Sequence, residues 1–182
     1  ERLTVSEWAV RHRRLSPEGS AFTGRFRLET APYQQEPMEA VNDTDVQSVV
    51  LMWASQTGKT EVINNVVGFF ICEEPSPMLV LQPTLDMAET WSKDRLAPMV
   101  RDTAVLTDLV ADPKARDSGN TVLHKRFTGG HITVAGANSP ASLASRPIRV
   151  VLCDEVDRYP QSAGAEGDPI SLAQKRSDTF FN

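Results

Sequence analysis

Cysteine is scarce: the 182 residues hold two, Cys72 and Cys153, each inside an apolar stretch. That excludes a disulfide framework and a thiolate zinc site, and makes a reducing, cytoplasmic compartment the simplest setting. No apolar run approaches the roughly 18 residues of a membrane span, and the first residues carry no signal-peptide core. A segment removed before residue 1 would leave no trace. An excess of basic charge is also lacking. Lys and Arg number 19 against 24 Asp and Glu, a net charge of -5, so no overall field draws the chain to polyanions. Arg11, His12, Arg13, Arg14, Arg25 and Arg27 are nevertheless crowded near the start, a cluster that suits either a DNA contact or a solvated helix face. There is no internal repeat or low-complexity tract. An apolar share of 40% with 24% charged residues suits one soluble α/β core.

What is there begins with Gly58, Lys59 and Thr60, which follow an apolar run at residues 49–53 and open an amphipathic stretch at 61–71. Gripping a triphosphate requires a strand that ends in a tight loop with its N–H groups facing the phosphates, and a helix whose positive end points at them. Gly58 permits the close approach, Lys59 supplies charge for the β/γ oxygens, and the Thr60 hydroxyl completes the coordination of Mg²⁺. Ser55, Gln56 and Thr57 would form the loop itself. The full pattern wants glycine at position 53, where this chain has Trp53. Taken alone, the tripeptide also fits an ordinary strand-turn-helix.

A second site sharpens the reading. Val150, Val151, Leu152 and Cys153 form a short apolar run ending in Asp154 and Glu155, the way a buried parallel strand delivers carboxylates to a sheet edge. In a phosphate-loop enzyme the first acid serves Mg²⁺ and the second polarises the attacking water. Lys59 and the two acids must then border one crevice. The bland alternative is a strand that becomes solvated at its end.

Between these motifs the signals are local. Thr4 and Glu7 spell a capping box for a short helix. Residues 46–53 read as the strand feeding the loop, 78–82 as a second buried strand, and 84–101 as a helix. Residues 121–127 and 131–135 flank Thr128, Gly129 and Gly130 as a hairpin. Ser139 with Pro140, and Asp168 with Pro169, look like helix caps followed by the first helical residue. Strands alternating with helices predict an α/β fold with a mostly parallel sheet and helices on both faces.

Four ordered stretches carry a family resemblance: TAPYQQEPMEA at 30–40, WASQTGKTE at 53–61, LQPTLDMAETWSKDRLAPM at 81–99 and SLASRPIRVVLCDEVDRYP at 142–160. Together they resemble the large terminase subunit of tailed bacteriophages, in the lambda-like branch. The resemblance implies a phosphate-loop NTPase of the additional-strand, catalytic-glutamate type. It further implies an ATP- and Mg²⁺-dependent motor that moves double-stranded DNA into the procapsid in the host cytoplasm, as a homo-oligomer working with the portal protein and the small terminase subunit. It divides the chain into an N-terminal segment, 1–45, packed on an ATPase core, 46–182, that stops before the coupling motif and the nuclease domain. Nucleotide binding is therefore expected to survive better than turnover, and cutting of DNA is not expected.

The same resemblance assigns roles. Tyr33 and Gln34 fall in the adenine-recognition segment, where a ring stacks on the base and an amide reads its edge; without it they are a turn before a short helix. Pro83 and Thr84 match a motif that senses nucleic acid, although Thr84 is also a good helix cap. Glu155, Lys59 and Arg146 are the expected catalytic set, with Arg149 a second candidate to neutralise transition-state charge; both arginines also fit a plain surface junction. Thr60 and Asp154 are the expected metal side. Residues 53–57 lack the basic residue that many large terminases carry there, so the trigger for hydrolysis comes from elsewhere. Two other readings stay open: a helicase-like nucleic-acid-dependent ATPase, and a nucleotide-binding assembly module without turnover.

Overall fold

The computed structural model describes residues 2–110, 119–139 and 147–177. The chain divides into two compact units, Glu1–Glu74 with Arg95–Leu109, and Pro75–Asp94 with Val110–Asn182.

The first unit is mainly helical. Helix α1 (Val5–His12) starts where the sequence says it should, because Thr4 Oγ1 accepts the Glu7 N–H at 3.3 Å and the Glu7 carboxylate accepts the Thr4 N–H at 2.8 Å. A two-residue antiparallel pair follows, β1 (Arg14–Leu15) and β2 (Gly24–Arg25). Helix α2 (Gln35–Ala40) comes next, after a 3₁₀ turn at Pro32–Gln34. The long helix α3 (Lys59–Cys72) is the scaffold on which α1 and α2 pack. Its approach to α1 needs Gly68: a Cβ there would lie 2.0 Å from the Trp8 ring. Trp8 is thereby completely buried, and burying a large apolar side chain of this kind contributes about 3 kcal/mol. Helices α5 (Ala97–Asp102) and α6 (Ala104–Thr107) complete the unit, with Met99 and Leu106 inside.

One expectation fails here. Residues 46–54 form no strand; they are irregular and largely exposed, with Val50 at 76% and Met52 at 92%. A strand is secured by a ladder partner, and this segment has none among the described residues, so apolar composition alone does not make it β.

The second unit holds a four-stranded sheet in the order β4-β5-β3-β6. Strand β3 (Met78–Gln82), buried at all five positions, pairs in parallel with β5 (Gly130–Gly136) on one side and β6 (Val150–Cys153) on the other. Strand β4 (His124–Phe127) joins β5 as the expected hairpin around Gly129. The sheet is thus mostly parallel with one antiparallel edge, an α/β arrangement. Leu79, Leu81, Ala135 and Ile148 pack with Ala163 and Ala173, the last from α7 (Pro169–Gln174), which Asp168 caps by accepting the Ser171 N–H at 2.8 Å. Helix α4 (Leu85–Trp91) leaves β3 with Thr84 as its cap. The helix expected at 84–101 runs through α4, a π-helical turn at Ser92–Leu96, and α5. Pro98, which has no N–H to donate and crowds the carbonyl four residues back, accounts for the widened turn before it. The helix expected to begin at Pro140 lies outside the described residues.

Candidate nucleotide site

Gly58 sits in the left-handed region, φ +84°, as the residue before α3, and its carbonyl accepts the N–H groups of Glu61 and Val62 at 3.0 and 3.2 Å. The helix therefore begins where a loop turns sharply into it, with its N-terminal N–H groups at the mouth of the turn. Gln56 also has a positive φ, 59°, a strained conformation for a residue with a side chain and one that marks the turn as specified by its surroundings. Thr57 Oγ1 closes the loop on the Ala54 carbonyl at 2.7 Å. Lys59 folds back over it, its ammonium donating to the Trp53 carbonyl at 2.9 Å.

The loop is gripped from outside by the segment expected to read adenine. Tyr33 Oη donates to the Thr57 carbonyl at 3.1 Å, and Gln34 Nε2 lies 3.4 Å from the carbonyls of both Thr57 and Gly58. The Tyr33 ring meets Trp53 edge-on, centroids 5.2 Å apart. Gln34 is buried, and a Cβ on Gly58 would come within 2.3 Å of its amide, so glycine is required there twice over, by φ and by space. Tyr33, Gln34, Thr57, Gly58 and Lys59 are thus brought together; Ser55 and Gln56 form the exposed rim of the same turn.

The acidic pair lies in the second unit. Strand β6 follows β3 in register, Leu81 opposite Cys153, and the Asp154 N–H continues the ladder to the Leu81 carbonyl at 3.0 Å. Asp154 is 5% exposed. Gln82 Nε2 reaches its Oδ2 at 3.4 Å and the Glu155 N–H donates to its Oδ1 at 3.1 Å. Glu155 takes φ +51°, which turns the chain out of the sheet, and its carboxylate pairs with Arg158 at 2.9 Å. Tyr159 Oη donates to the Leu81 carbonyl at 2.8 Å beneath the turn. Burial pushes the Cys153 thiol up to about 11 and raises the Tyr159 phenol as well.

Gln82 and the Trp53 carbonyl escape a reading of motifs because one acts through a strand register and the other through a loop closure, whereas Arg158 is a local partner three residues after Glu155. Arg146 lies outside the described residues. Arg149 is exposed and donates to Ser76 Oγ at 2.9 Å. Of the N-terminal basic cluster, Arg11, Arg14, Arg25 and Arg27 are exposed, in keeping with a solvated face, whereas Arg13 is buried and pairs with Glu61.

The side chains suit a magnesium nucleotide. The Thr60 hydroxyl of the first unit and the Asp154 carboxylate of the second are each hard oxygen donors of the kind such a cation prefers. Among the described residues no helix is long and apolar enough to cross a membrane.

The family model for the phage terminase large subunit gpA, ATPase domain, matches residues 20–182. The terminase large subunit of Escherichia phage lambda is 27% identical over 177 residues, which is 97% of this chain and 27% of that protein. Among solved structures, the large terminase ATPase domain of Thermus phage P74-26 aligns with a TM-score of 0.46 and 19% identity, over 66% of this chain and 53% of that one.

Proposed function

Because the chain belongs to the phage terminase large subunit gpA ATPase-domain family, we propose that it hydrolyses ATP to drive double-stranded DNA into a procapsid. The turn at Gly58 carries this reading: a left-handed glycine at the head of a 14-residue helix, its carbonyl and that of Thr57 held by Tyr33 and Gln34.

In this reading residues 1–45 contribute the base-recognising pair Tyr33 and Gln34, and residues 46–182 form the ATPase core. Ser55 to Thr60 wrap the phosphates through their N–H groups, and the Lys59 ammonium exchanges the Trp53 carbonyl for phosphate oxygens. Thr60 and Asp154 are the residues that would hold Mg²⁺. When bound, Mg²⁺ supplies charge neutralisation on the phosphate oxygens. Glu155, oriented by Arg158, accepts the proton of the water that attacks the γ-phosphorus. Arg146 is the candidate for neutralising charge on the transferred group, with Arg149 second. The partners expected in the host cytoplasm are other copies of the same subunit, a portal protein and a small terminase subunit. The family match favours this motor over a helicase-like ATPase or an inert assembly module.

Titration of a fluorescent ATP analogue tests the loop. Lys59→Ala should weaken binding by at least about tenfold, the loss of one charge-assisted contact. Glu155→Gln should bind within about twofold of wild type and lose turnover by about 10²-fold or more in a full-length subunit. Equal binding by wild type and Lys59→Ala would remove the assignment.

A further inference from the structure

Glu61 poses an electrostatic problem. It directly follows Lys59 and Thr60, so a carboxylate stands in the first turn of the helix whose N-terminus is to receive phosphates. An acid there suits the helix dipole but competes with an anionic ligand for the same positive end. The Glu61 side chain is 19% exposed, too enclosed for water to screen it fully.

The structure answers with Arg13. Its side chain, 4% exposed, reaches from the end of α1, and Nη2 donates to Glu61 Oε2 at 3.1 Å. Nη1 donates to the Arg14 carbonyl, which fixes the guanidinium. The second Glu61 oxygen accepts Asn64 Nδ2 at 3.1 Å, so both oxygens of the carboxylate are engaged. Arg13 Nε finds no hydrogen-bond partner among the described residues. A buried ion pair with an unmet donor stabilises a fold no better than apolar residues of the same volume. Stability is therefore a poor explanation for a guanidinium at this place, and its charge is a good one.

We propose that Arg13 is a positioning residue of the phosphate site, which neutralises Glu61 and holds the first turn of α3 so that the neighbouring Lys59 and Thr60 meet the nucleotide without an opposing charge. This rests on the nucleotide-site reading above and assigns it a residue that contacts no nucleotide.

The test is a double-mutant cycle on the 182-residue chain, read by titration of the fluorescent ATP analogue and by thermal melting. Arg13→Met keeps the volume and removes the charge; it should weaken binding about tenfold, since it exposes the site to an unpaired carboxylate. Glu61→Gln should bind at least as tightly as wild type. The double variant should return to within about threefold of wild type, because the charge that Arg13 offsets is gone. A purely structural Arg13 gives the opposite pattern, a loss that persists or grows in the double variant, and that result overturns the proposal. If Arg13→Met does not fold, Arg13→Lys serves instead: it should bind within about threefold of wild type, and a tenfold loss in a folded protein overturns the proposal equally. Failure of the site reading is recognised separately, by Lys59→Ala binding as well as wild type.

Discussion

The turn before α3 and the end of β6 both present polar chemistry where regular structure stops, yet they are held by different means. Asp154 is placed by main-chain pairing: β6 runs in register with β3, and the Asp154 N–H extends the ladder to Leu81. The phosphate turn has no ladder behind it. Residues 46–54 are irregular, and the turn is fixed by side chains from a segment more than twenty residues earlier, Tyr33 and Gln34, together with the left-handed Gly58. A site built on a ladder is stiff and tolerant of side-chain loss. A site gripped by side chains is adjustable and vulnerable to it.

Substitutions at five positions and one change of pH put that contrast to the test. The largest effect is expected from Gly68→Ala, which pushes a methyl into the Trp8 ring and should cost about 3 kcal/mol in urea unfolding. It sets the scale for damage to the helix behind the turn. Gly58→Ala should cost about 2 kcal/mol, from the left-handed φ and the encounter with the Gln34 amide, and should lower affinity for the ATP analogue in parallel. Truncating the grips separates the two regions. Gln34→Ala should cost about 1–2 kcal/mol and accelerate hydrogen exchange at residues 57–62, whereas Gln82→Ala should cost under about 1 kcal/mol and leave exchange at 150–154 unchanged. Equal loosening at both places would erase the distinction.

The smallest effect concerns alkaline pH. A thiol whose folded pKa is raised to about 11 from an ordinary 9 contributes stability that is complete below pH 9 and lost as pH rises toward 11. Tyr159, raised by burial, acts in the same direction. Melting should therefore fall by about 2–4 °C between pH 8.5 and 10.5, and Cys153→Ala should shrink that fall.

Much of the framework was legible because its signals are local. Thr4 with Glu7, Thr84 and Asp168 declared helix starts. The runs at 78–82 and 150–153 declared strands to the residue, and Gly129 with Gly130 declared the hairpin turn. The run at 46–53 misled because its apolar residues resemble a strand, while strand formation depends on a partner that composition does not reveal. Arg13 was invisible for the same reason: its neighbour in sequence is Arg14, and its neighbour in space is Glu61, 48 positions on. The grip of Gln34 on the loop belongs to this class too. Its sequence context assigned it to the adenine base, and only the folded chain shows the carbonyls of Thr57 and Gly58 beside it.

Trp53 gives the molecule an optical gauge of its own. The chain has three indoles, and those of Trp8 and Trp91 are sealed inside at 0% and 4% exposure. Trp53 alone is partly open, and it touches the Tyr33 ring at the rim of the turn. A neutral quencher such as acrylamide will extinguish chiefly that one emitter. Any tightening of the turn around a ligand then changes the accessible fraction of the emission, with no dye attached.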